Sequence, residues 1–440
     1  DVPPAVRRIG LLTTWWAFAV ELVPLYALYA LMFADQGLSD GQISALFLIW
    51  SVVGIVAEVP TGAIADRFSR RGALAAGSVL QGLGYAWWIL LPGFAGYAAG
   101  FVLWGLGGAL ASGSLEALLY DGLKSLGATR HYSRLLGRIT AAGLIAQIPA
   151  ALAATVLFQL GGYALVGWLS VGCCLTAAAL AWLLQDVRPP GTDARADRPP
   201  PTGPAGDTEK PGATIDVVEP IGGSDRAGQG GAEPAESATA AEFDDDDSGL
   251  GYFQTLRVGV REAIAAPAVR GLVLVVAALT GLDALEEYFT LVALDWGVPV
   301  PWIPLAALAI PLVGAAGTWW MAHRSPTKKA FVPGLLALAL GLGAVLLLVS
   351  EWFGRPAGLA GVAVFYGLYQ VVMVAVNTRL QDAITGPARA TVNSVAGLLS
   401  ELAAIAIYGL WALDGLSLIG LLILLLAVLM PLAMRRRPVN

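Results

Sequence analysis

The sequence predicts an all-α membrane protein of twelve transmembrane helices arranged as two six-helix bundles, with both termini on the same side. Three observations carry this prediction. Hydrophobic residues make up 57% of the 440 and charged residues only 13%, with mean hydropathy +0.70, which excludes a soluble globular chain. Cutting the chain at its apolar runs leaves about twelve segments of membrane-spanning length. Of the 26 Lys and Arg residues, all but Arg355 fall in alternate breaks between those segments. The positive-inside rule makes that side cytoplasmic, and with it both termini.

Because lipid offers the backbone no hydrogen-bond partners, the spans must be helices. A β-barrel would show short alternating segments in place of runs such as 335–349 or 416–430. The first apolar run is expected to be a span: it is too long for a signal peptide and no small-residue cleavage site follows it.

In chain order, Arg7 and Arg8 precede the first span, and Arg67, Arg70 and Arg71 follow the second. Lys124, Arg130, Arg134 and Arg138 follow the fourth. After the sixth comes a long polar insert, then Arg257, Arg261 and Arg270. Arg324, Lys328 and Lys329 follow the eighth, Arg379 and Arg389 flank the break after the tenth, and Arg435 to Arg437 close the chain. The other breaks, at 35–40, Pro92–Gly93, Gly161–Gly162, Pro299 and Asp414, hold no Lys or Arg.

Domain boundaries follow. Residues 1–186 are expected to form an N-terminal six-helix bundle, and 267–440 a C-terminal one. Between them, 187–248 is rich in Pro, Gly and acids and poor in aromatic residues, so it reads as a disordered acidic cytoplasmic linker. Its run Asp244–Asp247 reads as solvated linker in preference to a cation site. Residues 249–266 place apolar side chains at helical spacing, with Arg257 and Arg261 on another face, as in an amphipathic helix lying on the membrane surface. The only cysteines, Cys173 and Cys174, are adjacent within the sixth span and read as packing residues.

The two halves look like weak copies of one another. The fourth span closes on Asp121 and the tenth on Asp382; the fifth opens Arg138-Ile139-Thr140 and the eleventh Arg389-Ala390-Thr391. Internal repeats of this kind suggest two bundles rocking about a central site.

Between the second and third spans stands Gly62-Ala63-Ile64-Ala65-Asp66-Arg67-Phe68-Ser69-Arg70-Arg71. This resembles the signature loop of the major facilitator superfamily, with Ser69 where the family has glycine. The resemblance implies secondary transport by alternating access. It also implies a cytoplasmic latch of Asp66, Arg67, Arg70 and Asp121 that stabilises an outward-open state. Asp66 and Arg70, four residues apart, are in register to pair on one helical turn. Upstream, Glu58-Val59-Pro60-Thr61-Gly62 and the run from Ser112 through Glu116 to Asp121 are similar to a branch of poorly characterised bacterial exporters. Glu58 and Glu116 either join the latch or merely pack beside it. The fifth span has Gly143 and Pro149, but not at the Gly-x-x-x-Gly-Pro spacing that marks the family's drug:proton antiporters.

Counting inward from the breaks, Glu21, Asp283 and Glu401 sit near mid-membrane in spans one, seven and eleven, with no Lys, Arg or His at that depth. An ionised carboxylate there costs about 3 kcal/mol or more, so each should face a cavity or hold a proton. Acids without basic partners point to protons or to a cationic substrate. Tyr26 and Tyr29 follow Glu21; Glu286, Glu287 and Tyr288 follow Asp283 at spacings that place both glutamates on its α-helical face. Aromatic rings beside carboxylates suit lipophilic cations, although a wet extracellular vestibule is an equal reading for Glu286 and Glu287. Gln147 and Gln370 either orient substrate or bond between helices. Trp15, Trp16, Trp87 and Trp88 read as an interfacial belt.

The expected function is therefore proton-coupled export of an amphipathic or cationic small organic compound across the plasma membrane. The proton gradient would supply the energy, with membrane lipid around a monomer, no resident cofactor and no nucleic-acid partner. No P-loop supports direct use of ATP, and no enzymatic activity is expected. The alternatives are a facilitator or importer of a polar solute, or a non-transporting receptor or scaffold.

Overall fold

A computed structural model describes residues 3–185, 267–323, 332–384 and 389–434. The acidic linker 187–248 and the surface helix expected at 249–266 lie outside the described residues. Everything described belongs to one compact unit.

Most of the described residues are helical, none of them is in a strand, and the helices form twelve spans. The first four are Pro4–Asp35, Asp40–Arg67, Arg70–Leu90 and Phe94–Ser125. Spans five and six share Tyr132–Trp182, which departs from helical geometry only at Gly161 and Gly162. The seventh runs from Pro267 to Asp295 in three pieces, followed by Ile303–His323, Pro333–Phe353 and Leu359–Ala383. Spans eleven and twelve share Arg389–Ala433, broken at Asp414 and Gly415. Both reversals lie where the sequence shows breaks free of positive charge. Each contains a glycine at positive φ (58° at Gly162, 57° at Gly415), a conformation that a side chain would strain.

Local sequence explains the ends. Ser39 caps the second span by accepting from the Gln42 amide, with Gln42 returning the bond as a capping box. Ser69 accepts from the Gly72 amide at 2.9 Å and caps the third span. Its backbone is extended, with φ −173°, so this position does not require glycine, and serine supplies the cap.

Small residues let the helices approach closely. A Cβ on Gly107 would meet the Gly77 carbonyl at 2.6 Å, and one on Gly84 the Gly100 carbonyl at 2.8 Å, so spans three and four meet backbone to backbone. Aromatic side chains fill the core. Trp88 is fully buried and donates from Nε1 to the Tyr97 carbonyl at 3.0 Å. This corrects the belt expectation for Trp16 and Trp88, which are core residues, whereas Trp15 and Trp87 are exposed. Adjacent residues on a helix point about 100° apart, so only one of each pair can face outward.

Candidate functional site

Both first helices of the halves are broken, and the breaks present the acids. In span one the α-helix ends at Glu21; a 3-10 turn, Pro24–Ala27, follows before helix resumes at Tyr29–Asp35. Pro24 has no N–H to give to the preceding turn, which forces the interruption. In span seven, α-helix Pro267–Gly281 tightens to 3-10 geometry over Leu282–Tyr288 and reopens as Phe289–Asp295. Residues three apart eclipse in a 3-10 helix. Asp283 and Glu286 therefore align one turn apart, while Glu287 swings a third of a turn away, in contrast to the single shared face that α-helical spacing predicts.

A cavity of about 360 Å³ lies between the halves. Glu21 enters it from span one, with Gln147 within reach of its carboxyl. Space for Glu21 comes from Gly143, where a Cβ would stand 3.2 Å from Glu21 Cγ. Glu286 and Glu287 enter from span seven. Tyr26, Tyr29, Trp50, Tyr85, Trp104 and Phe289 supply aromatic walls, with the Trp50 and Trp104 rings 5.0 Å apart. Gln81 and Thr290 add polar groups, and among the lining residues there is no Lys, Arg or His.

Glu287 is clasped from the opposite half. Tyr29 Oη donates to its Oε2, and Tyr26 Oη to its Oε1 at 3.3 Å. Nearby, Ser44 and Tyr288 are hydrogen-bonded at 2.8 Å, and Tyr288 stacks on Trp411 with centroids 4.0 Å apart. These bonds join the halves towards the end of the molecule where Arg355 is the one Lys or Arg among the described residues.

Of the ten residues expected to line the site, the structure brings together Glu21, Tyr26, Tyr29, Gln147, Glu286 and Glu287. The other four lie elsewhere. Asp283 Oδ1 shares a hydrogen bond of 2.7 Å with the Tyr369 hydroxyl, one turn from Glu286. Tyr288 is buried in the seam just described, because the 3-10 turn rotates it away from the cavity. Gln370 donates to the Tyr366 hydroxyl at 2.8 Å, a bond within its own helix. Glu401 is exposed in span eleven, where its electrostatic neighbour is Glu58 across the seam between the halves.

At the basic end, Arg70 Nη1 donates to Asp121 Oδ2 in an ion pair whose side chains are 27% and 20% exposed. Arg71 sits 5.1 Å from the Trp182 ring. Arg67, Glu58 and Glu116 are exposed, and Gly62 has open space beside it. The side chain of Asp66 lies outside those described, so its expected pairing with Arg70 does too.

Trp50, Gln81, Tyr85, Trp104 and Cys174 also line the cavity and were not singled out for it from the sequence. Their signal was available: polar or aromatic side chains near mid-span, where lipid contact favours aliphatic ones.

A sequence profile described as Major Facilitator Superfamily matches residues 10–408. No curated protein sequence matches the chain significantly. Among solved structures, the chain is similar to a point mutant of the nucleoside transporter NupG, at TM-score 0.65 and 9% identity, covering 98% of each chain. It is also similar to a point mutant of a peptide transporter POT, at TM-score 0.63 and 13% identity over 98% of each. A bacterial homologue of the iron transporter ferroportin in an inward-facing state aligns at TM-score 0.63 and 15% identity, over 98% of this chain and 99% of the other. At these identities the likeness is one of fold.

Proposed function

Because this chain belongs to the Major Facilitator Superfamily, we propose that it is a secondary active transporter that exports an amphipathic organic cation in exchange for protons. The observation that carries this reading is the cavity's charge: three carboxylates, six aromatic rings and no basic side chain among its lining residues. Attraction between a desolvated cation and ring faces adds about 2 kcal/mol to the carboxylate contacts. An organic anion in the same space would be repelled by the three carboxylates and would find no Lys, Arg or His among the lining residues.

The basic face is read as cytoplasmic in a plasma membrane. The conformation is read as inward-facing, with the clasp of Glu287 by Tyr26 and Tyr29 as the closed extracellular gate. Alternating access requires the halves to exchange this seam for one at the basic end, and the Arg70–Asp121 pair braces the helices that would form it. Proton binding at Glu21, Asp283 or Glu401 would supply the coupling.

Tetraphenylphosphonium, a lipophilic cation rich in aromatic surface, tests the reading in proteoliposomes. An imposed pH gradient should drive its movement against its own gradient, and a protonophore should abolish that movement. Movement that only dissipates the cation gradient, unchanged by the protonophore, would identify a facilitator and overturn the coupling.

A further inference from the structure

One buried phenol in span ten has more hydrogen-bond acceptors than it can serve. The Tyr369 hydroxyl lies 2.7 Å from the Leu279 carbonyl and 2.7 Å from Asp283 Oδ1. A phenol carries a single proton, and a backbone carbonyl can only accept. Sharing that proton between two acceptors would lengthen both contacts, yet both are short. The arrangement closes if Asp283 is the second donor: its Oδ1–H gives to Tyr369 Oη, and Tyr369 gives its own proton to Leu279.

The helix explains why Leu279 needs a partner. In α-helical pitch its carbonyl receives the N–H of residue 283, four positions on. Tightening to 3-10 pitch from Leu282 onward shifts amides to acceptors three positions back, and such a step drops one carbonyl from the ladder. Leu279 lies in the last α-turn before that step, and Tyr369 meets its carbonyl there.

We propose that Asp283 is a proton-binding site, loaded in this conformation, and that Tyr369 is the positioning residue that ties its proton to the pitch of span seven. Return of the segment to α-pitch gives the Leu279 carbonyl to the Asp283 amide. The Tyr369 proton then has one acceptor left, the Asp283 carboxyl, which can release its own proton to water and accept the phenol as a carboxylate. Proton occupancy and helix geometry are thereby exclusive pairs: 3-10 with Asp283 protonated, α with Asp283 ionised. This rests on the transporter reading for its purpose, though not for its geometry.

The groups that bear on Asp283 are few. Tyr369 faces it from span ten, and Glu286 lies one 3-10 turn along its own element. Arg270 on span seven itself, and Arg379 and Asp382 on span ten packed against it, stand near the basic end. Glu401 has Glu58 as its acidic neighbour, and Tyr408 bonds Ser51.

Infrared spectroscopy of the purified full chain in lipid, without substrate, reads this proton directly. At neutral pH the wild type should show the carbonyl stretch of a protonated carboxyl group, sensitive to deuterium exchange. Asp283→Asn should remove the aspartate component of that band, Tyr369→Phe should shift that component by removing its acceptor, and Glu286→Gln should leave it in place. If Asp283→Asn does not fold, isotope-labelled aspartate in the unaltered protein should move the same band. A band that survives Asp283→Asn unchanged, or ignores the label, would overturn the proposal. The cation reading would survive that result, since it rests on different residues, and failure of cation transport would leave the band untouched.

Discussion

Tyr29 and Glu287, 258 positions apart, meet through a hydrogen bond from the Tyr29 hydroxyl to Glu287 Oε2. This contact links the first helix of one half to the first helix of the other, above a cavity that Glu287 also lines. One carboxylate thus belongs both to the wall of the candidate binding space and to the seam that closes it. A cation drawn to Glu287 competes with the two tyrosines for the same oxygens, so occupancy and gate are linked by geometry.

Loosening that clasp should shift the conformational balance. A hydrogen bond to a charged group contributes about 1.5–3 kcal/mol, so Tyr29→Phe should change the ratio of states about tenfold or more. Spin labels at Gln36 and Asp295, with Cys173 and Cys174 replaced by serine, should give one short distance in the parent and an added longer one in Tyr29→Phe. An unchanged distance distribution would remove the gate role.

Acid should weaken cation binding. Protonation of Glu21, Glu286 or Glu287 removes negative charge from the cavity, so affinity for tetraphenylphosphonium should fall as pH falls. Glu287→Gln should bind more weakly and show a flatter pH profile. Calorimetric titration across pH checks both; a profile that rises towards acid contradicts the sign.

Gly143→Leu should displace the Glu21 carboxyl, since even a Cβ would stand 3.2 Å from its Cγ. Cation affinity should drop severalfold while the helical circular dichroism stays unchanged. Wild-type affinity in this variant would mean that Glu21 takes no part.

Packing of spans three and four gives a folding test with an internal control. Gly107→Ala places a Cβ 2.6 Å from a backbone oxygen, whereas Gly108→Ala enters open space. Overpacking of this kind costs about 1–3 kcal/mol. Thermal unfolding in detergent should separate the neighbours clearly, with Gly108→Ala near wild type.

Much of this architecture was legible from apolar run length and the alternation of positive charge, which mark where the chain turns. The reversals at Gly161–Gly162 and Asp414–Gly415 fall where those breaks do. Rotation about each helix was harder to read. An α-helical wheel groups Asp283 with Glu286 and Glu287, but the 3-10 segment turns Glu287 away from the other two, and no proline marks the change. Trp15 and Trp16, equal in hydropathy, take opposite environments. Glu401 stands at the expected depth, yet it faces the seam beside Glu58 instead of the cavity, because depth alone does not fix which face of a helix looks inward.

The most direct test of the carboxylate cavity is calorimetry of tetraphenylphosphonium binding in two buffers of different ionisation enthalpy, which counts protons released per cation bound. Release of protons by the wild type, reduced in Glu21→Gln and Glu287→Gln with weaker binding in each, is the predicted result. Equal affinity in all three proteins with no proton released would contradict it.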